Sequence, residues 1–116
     1  MTILTPQEAA WVATAIPLPI STSQIQTQVC AVYNKRVTDI IAPNRRADLV
    51  EVRSIAIFMV RKITRRAWKD IGRRFGGRDH ATVIHAYRKI EARVAADRVF
   101  AAEMAGLQAK IEGATQ

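Results

Sequence analysis

The amino-acid sequence predicts an all-α fold, arranged as one multi-helix domain that contains a helix-turn-helix. Three observations support this prediction. Apolar residues recur every three or four positions in several segments, capping residues and prolines mark the segment ends, and alternating strand patterns are weak. The chain has 116 residues, of which 49% are apolar and 24% are charged. This composition is typical of a single soluble globular domain.

Residues 1–19 are predicted to form a short helix followed by a proline-containing linker. The run from Thr5 to Glu8 has the pattern of a capping box, with a proline at the first helical position, and Pro17 is expected to end the helix. The apolar face of this helix has two possible roles: it packs back onto the domain, or it docks onto a partner or a second copy. Its members are Trp11, Val12 and Ile16.

Two helices are predicted next. Residues 21–23 cap a helix that runs to about Asn34, and Thr38 is expected to cap a short helix that ends at Ala42, near Pro43. Cys30 lies in the first of these helices and is expected to be buried. One side of that helix is apolar and consists of Ile25, Val29, Val32 and Tyr33.

A basic loop over residues 44–47 precedes the longest predicted helix, from Asp48 to about Ile63. Its apolar residues follow the spacing of a buried stripe, whereas Arg53 and Arg61 lie off that stripe. The stripe consists of Leu49, Val52, Ala56, Met59, Val60 and Ile63.

A helix-turn-helix is predicted over residues 68–95. A short helix from Trp68 to Phe75 should turn Trp68, Ile71 and Phe75 inward, and Gly76-Gly77 breaks the chain because glycine adopts left-handed angles freely. Asp79 is expected to cap the second helix. A last helix, over about residues 97–111, should pack against the body or a neighbour. Its apolar residues are Val99, Phe100, Met104, Leu107 and Ile111.

The second helix of this pair has two unlike faces. At 100° per residue, one face is apolar and should meet the core, with Val83, Tyr87, Ile90 and Val94 on it and Ile84 at its edge. The opposite face combines small residues with hydrogen-bond donors, which suits a DNA major groove because small residues permit close approach. It consists of Ala81, Thr82, His85, Arg88, Lys89 and Ala92. His80 lies in the first turn, at the end of the helix that such proteins present to base edges.

Positive charge is concentrated in one segment. Residues 35–93 carry 16 Lys/Arg against 6 Asp/Glu, within a chain whose net charge is +8. A polyanionic partner is one explanation, and a generally soluble surface is the other.

Several classes of function are not supported by the sequence. A single cysteine allows neither a disulfide framework nor a cysteine zinc cluster, and the spacing of His80 and His85 turns their rings apart. No catalytic triad or paired carboxylates are evident, and the glycines at 72–77 lack the Lys-Ser/Thr of a P-loop. The sequence therefore predicts a protein that is not an enzyme, uses no cofactor or metal, does not enter membranes and is cytoplasmic, associated with the nucleoid.

Residues 71–91, and above all the run GGRDH-x-TV-x-HA-x-RKIE, closely resemble the signature of the C-terminal DNA-binding domain (domain IV) of the bacterial replication initiator DnaA. The resemblance extends from about Ile20 to Glu91. It implies a Trp-repressor-like helix-turn-helix domain over residues 20–95, with residues 96–116 as a C-terminal helix. It also implies binding of double-stranded DNA at DnaA-box-like sites, by a small protein that does not carry the ATPase domain.

The resemblance, together with the exposed helix face, predicts two sets of DNA contacts. Arg45 is expected in the minor groove, where a narrow groove attracts arginine. The major-groove bases are expected to meet Asp79, His80, Ala81, Thr82, His85 and Ala86. The phosphates are expected to meet Arg46, Arg53, Arg61, Lys69, Arg78, Arg88 and Lys89.

The chain departs from the family pattern at three places. Ala81 replaces the first of two threonines that usually follow the histidine, Ala67 replaces a capping serine, and the basic loop has fewer arginines, with Asp48 and Glu51 nearby. Further arginines at 65, 66, 73 and 74 raise the general attraction to phosphates. These departures indicate retained DNA binding, with either an altered choice of sequence or a reduced affinity, and they leave the choice of sequence open.

Three functions are compatible with the sequence. The first is a small regulator of replication initiation or transcription that competes with, or modulates, the full initiator at its boxes. The second is an adaptor that docks on the initiator, or on a regulator of its ATPase, through the N-terminal apolar helix. The third is a transcription factor of a phage or mobile element. The sequence leaves open the exact box, the sign of the effect and the oligomeric state.

Overall fold

The structure is a computed structural model that describes residues 20–114. The helix predicted within residues 1–19 lies outside the described residues. Within them, six α-helices and no strands occur, in agreement with the predicted all-α class. The helices are α1 (Thr22–Tyr33), α2 (Val37–Ile41), α3 (Ala47–Thr64), α4 (Trp68–Arg74), α5 (His80–Ala96) and α6 (Arg98–Ala114).

Helix capping explains where α1 begins and ends. Ser21 accepts the backbone N–H of Gln24 at 3.0 Å, and the Gln24 side chain accepts that of Ser21 at 2.8 Å, so α1 begins with the expected capping box. Asn34 ends α1 in the left-handed conformation. The cap predicted at Thr38 is wrong, because α2 begins one residue earlier without a side-chain cap and Thr38 lies inside it.

The third helix, α3, is the centre of the fold. It contacts α1, α2, α4 and α5, and every residue from Val52 to Val60 is buried. The predicted stripe is therefore only part of the buried surface, since neighbours cover the helix on all sides. Arg53 is buried as well, which corrects the prediction that it lies outside the packed surface.

The last helix, α6, packs against α5 and α1. A single residue, Asp97, separates it from α5, and its Oδ1 accepts the backbone N–H groups of Val99 and Phe100 at 3.0 and 3.1 Å. The predictions that Val32 and Val99 lie on packed faces are wrong, because these side chains are 41% and 79% exposed. The buried residues of α6 are Phe100, Met104, Leu107 and Ile111.

Close backbone contacts set the turn between α4 and α5. Gly76 and Gly77 have φ of 79° and 75°, as the sequence predicts for the break. A Cβ atom on Gly76 would lie 2.2 Å from the carbonyl oxygen of Ile41, and one on Gly72 would lie 2.1 Å from that of Arg78. The turn therefore rests directly on the end of α2. Within residues 20–114 no helix is long and apolar enough to cross a membrane.

Candidate nucleic-acid interface

The outward face of α5 is solvent-exposed along the length that the sequence assigns to it. Val83 and Ile90 point into the core, and Tyr87 and Val94 pack against it. Tyr87 lies between the rings of Phe58, at 5.1 Å, and Trp68, at 5.3 Å, which fixes the rotation of α5 on α3 and α4. The exposed residues are Ala81, Thr82, His85, Arg88, Lys89 and Ala92.

The N-terminus of α5 is held by Asp79, whose Oδ2 accepts the backbone N–H of Ala81 at 3.2 Å. The imidazole Nδ1 of His80 lies 3.6 Å from Asp79 Oδ1, and both residues are exposed. Helix-turn-helix proteins present this end of the second helix to base edges. Ala86 is half-buried against the core, so it lies at the edge of the exposed face.

The loop between α2 and α3 carries two arginines that differ in their hydrogen bonds and ion pairs. Arg45 is exposed and forms no hydrogen bond or ion pair with any residue in the described range. Arg46 instead donates from Nη2 to Asp48 Oδ2 at 2.7 Å, and Lys35 Nζ reaches the same oxygen at 3.0 Å. These hydrogen bonds, from Arg46 and then Lys35, hold the pKa of Asp48 well below its usual value. The negative charge noted in the sequence is therefore paired.

One concave surface joins this loop to α5. Arg45 and Asn44 form one side of it, and Thr82 from the first turns of α5 forms part of the other. The interface residues predicted from two segments nearly forty positions apart therefore lie side by side. Sequence reasoning missed Asn44, whose Oδ1 accepts the Arg46 backbone N–H at 3.0 Å and shapes the loop. A Pro-Asn pair is a turn signal that could have indicated it.

Arg53 and Arg78 line the same surface, and their guanidinium groups are directed at backbone carbonyl groups of the protein. Arg53 donates from Nε to the carbonyl oxygen of Ile40 at 2.5 Å and from Nη2 to those of Ala42 and Asn44 at 3.2 and 2.8 Å. Its side chain is buried, and desolvation followed by repulsion from Arg78 lowers its pKa. Its hydrogen-bonding capacity is directed mainly at the protein.

Arg78 shares this inward arrangement. Its Nη1 donates to the carbonyl oxygens of Ile41, at 2.9 Å, and Phe75, and its Nη2 donates to that of Ala42 at 2.8 Å. Desolvation lowers its pKa as well. In this structure its Nη groups are directed at three carbonyl groups, and the expected phosphate contact stays a prediction.

The other predicted phosphate-contacting residues differ in the contacts that they make within the protein. Arg61 stacks on the Trp68 ring at 4.2 Å and donates from Nη1 to the carbonyl oxygen of Arg66 at 2.6 Å, so it also stabilises the end of α3. Lys69, Arg88 and Lys89 are exposed and have no ion-pair partner among residues 20–114. These three predicted phosphate-contacting side chains are therefore accessible to phosphates.

A second basic cluster surrounds Asp70 on α4. Arg66 Nη1 and Arg74 Nε both lie 3.1 Å from Asp70 Oδ2, and Arg73 Nη2 lies 3.5 Å from Oδ1. Desolvation opposes ionisation of Asp70, but the hydrogen bonds from Arg74 and Arg66 outweigh it and lower its pKa. The general phosphate attraction expected of these arginines is therefore partly offset within the protein. No group of three potential metal ligands occurs in the described part of the chain.

Comparisons with known proteins agree with this geometry. Residues 22–90 match the family model described as the bacterial DnaA protein helix-turn-helix. The chain is similar to the chromosomal replication initiator protein DnaA of Rhodopseudomonas palustris strain BisA53, at 38% identity, and of Nitrobacter hamburgensis, at 40%. Each alignment covers 83% of this chain and 20% of the relative, so the chain spans about a fifth of the length of these relatives.

A solved structure has the same fold. It is a crystal structure of a DNA replication initiation factor, which matches with a TM-score of 0.75 and 30% identity over 82% of this chain and 29% of its own. The matched family segment begins with α1 and extends into α5, and so contains the basic loop, the glycine turn and most of the exposed face of α5. The chain therefore belongs to the bacterial DnaA helix-turn-helix family and is a DNA-binding domain.

Proposed function

We propose that this chain binds double-stranded DNA at DnaA-box-like sites, with α5 in the major groove and Arg45 in the adjacent minor groove. The observation that carries the proposal is the shared concave surface, on which Arg45 and Thr82 lie together. A minor-groove arginine beside a major-groove helix reads one side of a duplex from two grooves. The helix reads base edges in the major groove and the arginine reads the minor groove, so each contributes sequence preference that the other does not.

The contacts divide by chemistry. His80, Thr82 and His85 reach base edges, since they project from the exposed face with hydrogen-bonding groups. Lys69 and Lys89 meet phosphates, because they are exposed cations without protein partners among residues 20–114. The phosphate contacts set the affinity and its salt dependence, and the base contacts set the sequence preference.

Ala81 determines how this chain differs from the usual pattern. Its methyl group can contact a thymine methyl but has no hydroxyl to donate, so one base position is read less strictly. Ala81→Thr is therefore expected to change the ranking of boxes that differ at one base pair. Measurement of binding to a set of such boxes tests this, and an unchanged ranking would contradict the role of Ala81.

The main experiment measures fluorescence anisotropy with a DnaA-box duplex and a scrambled duplex across a salt series. His80→Ala should weaken binding to the box by about 5- to 150-fold, equivalent to the usual 1–3 kcal/mol, and leave the scrambled duplex unaffected. Lys89→Ala should weaken both and reduce the salt slope by about 1. Lys110→Ala, on the exposed side of α6, is the charge-matched control and should change neither. Equal affinity of the unaltered chain for both duplexes would refute sequence reading.

At such a site the chain regulates replication or transcription by competing with the full initiator. Support comes from the match of residues 22–90 to the helix-turn-helix family of the initiator, because two proteins with the same DNA-reading surface compete for the same boxes. Adding the chain to initiator-bound origin DNA should displace the initiator footprint in proportion to concentration. His80→Ala should require about 5- to 150-fold more protein for the same displacement, in line with its weaker box binding, and displacement at the same concentration as the unaltered chain would contradict competition for boxes.

A further inference from the structure

The loop that carries Arg45 is held by two arginines from different elements. Arg53 comes from the interior of α3, and Arg78 comes from the turn that precedes α5. Between them they donate to the carbonyl oxygens of residues 40, 41, 42 and 44, and the carbonyl of Ala42 accepts from both. We call this arrangement the arginine clamp. It is directed at the backbone of the end of α2 and of the loop that follows, and not at side chains.

The clamp also connects the loop to the helix-turn-helix. Arg78 Nη1 donates both to Ile41, at the end of α2, and to Phe75, at the end of α4. Beside it, Gly76 leaves no room for a Cβ atom against the Ile41 carbonyl. A single guanidinium therefore joins the end of α2, which leads into the loop that carries Arg45, to the turn that precedes α5.

The two positive charges make the clamp costly in free energy if its only role is structural. Neither guanidinium forms an ion pair with a carboxylate within residues 20–114, although Arg53 is buried and Arg78 is half-buried. Burial of an arginine without an opposite charge is unfavourable. The compensation is that the carbonyl groups at the end of α2 and in the following loop gain hydrogen-bond donors, which gives this segment one defined shape.

We infer that Arg78, acting with Arg53, is a positioning residue that couples the minor-groove loop to the recognition helix, so that both DNA-reading elements move as one unit. The inference rests on the proposed function, because Arg45 must be a minor-groove contact for the coupling to affect binding. It predicts that the contribution of Arg45 to affinity depends on Arg78, although neither side chain bonds to the other.

The first test concerns the DNA-free protein. Arg78→Lys keeps the charge but cannot span three carbonyl groups with a planar fork, and Arg78→Met removes the charge. Arg73→Met is the matched control, since it removes the same charge from an exposed position outside the clamp. NMR order parameters of residues 43–46 should fall from about 0.85 towards 0.6 in both Arg78 variants and stay unchanged in the control. Unaltered loop order in Arg78→Lys would overturn the clamp.

The second test is a double-mutant cycle on DNA. Arg45→Ala should weaken binding to a DnaA-box duplex by about tenfold or more in the unaltered chain, and by less than about threefold in the Arg78→Lys background. In the Arg73→Met background it should keep its full effect. The same factor in all three backgrounds would overturn the coupling. Far-ultraviolet circular dichroism and denaturant unfolding establish that each variant is folded, and Arg78→Lys carries the test if Arg78→Met does not fold.

The two tests separate the failure of the inference from that of the proposed function. If the unaltered chain binds box and scrambled duplexes equally, the proposed function and the coupling on DNA both fail. If it prefers the box but Arg45→Ala has one constant effect, only the coupling fails. Loss of loop order together with a reduced Arg45 effect supports both.

Discussion

Two glycine-to-alanine substitutions in helices of this chain should have opposite effects on stability. Gly72 lies in α4 and Gly106 in α6, and neither has a positive φ, so alanine suits the backbone at both positions. The difference is in their surroundings. A Cβ atom at Gly72 would lie 2.1 Å from the carbonyl oxygen of Arg78, whereas nothing lies within 4 Å of one at Gly106.

The magnitudes follow from that geometry. Ordinary contact begins at 3.4 Å, so Gly72→Ala must displace the turn by more than about 1 Å. Overpacking of this kind costs about 1–3 kcal/mol, and the hydrogen bond from the Arg78 N–H to the Gly72 carbonyl, at 2.8 Å, is weakened at a further cost of about 1 kcal/mol. The helix propensity of alanine returns about 1 kcal/mol. We expect a net loss of about 1–3 kcal/mol for Gly72→Ala and a gain of about 0.5–1 kcal/mol for Gly106→Ala.

The assay is denaturant unfolding followed by circular dichroism at 222 nm, with thermal unfolding as a second measurement. For a domain of this size, 1 kcal/mol corresponds to a change in Tm of about 4–8 °C. Gly72→Ala should lower Tm by roughly 4–20 °C and Gly106→Ala should raise it by a few degrees. If Gly72→Ala is as stable as the unaltered chain, the turn does not resist displacement and the reasoning is refuted. A destabilised Gly106→Ala would refute the assignment of open space beside α6.

Three further predictions concern stability. Ala67 is the N-cap of α4 and makes no side-chain cap hydrogen bond, so Ala67→Ser should add about 0.5–1 kcal/mol to the free energy of unfolding in urea, and no gain would contradict this. Arg65 ends α3 with a φ of 56°, and Arg65→Gly should relieve about 1 kcal/mol of left-handed strain; a lower Tm would argue against it. The pKa of Asp70 is lower in the folded state, so its ion pairs stabilise the protein above the ordinary carboxyl pKa and are lost as pH falls. Asp70→Asn should therefore flatten the acid side of a Tm-versus-pH curve as the pH falls below the ordinary carboxyl pKa of about 4, and an unchanged curve would show that Asp70 contributes nothing.

Features that depend on neighbouring residues along the chain could be predicted from the sequence. Ser21 and Asp79 cap their helices as expected, because a cap needs only the next few backbone N–H groups. The Gly76-Gly77 break and the division of α5 into buried and exposed faces follow from backbone freedom and the helical repeat. Most of the framework of the site is therefore local in origin.

Features that depend on distant segments could not be predicted. The resemblance predicts a DNA contact for Arg53 but not its burial, which depends on carbonyl groups of residues 40–44 that only the folded chain brings to it. The pairing of Asp48 with Lys35 likewise joins α3 to the segment between α1 and α2. Val99 is expected on a packed face, yet no neighbouring helix within residues 20–114 covers its exposed side chain. Periodicity identifies the apolar face of a helix, but it does not show how much of that face a neighbouring helix covers.

The hydrogen bonds of Arg53 and Arg78 to the loop end on main-chain oxygens, which every amino acid possesses. Apart from Asn44, whose side chain shapes the loop, the backbone path and the side-chain identities of this loop are consequently separable. Residues such as Arg45 can be exchanged for others without removing any acceptor, and the path of the chain should persist. Libraries varied at positions 45–47 on an otherwise constant scaffold are thus a practical route to new minor-groove preferences, with the hydrophobic interior left untouched.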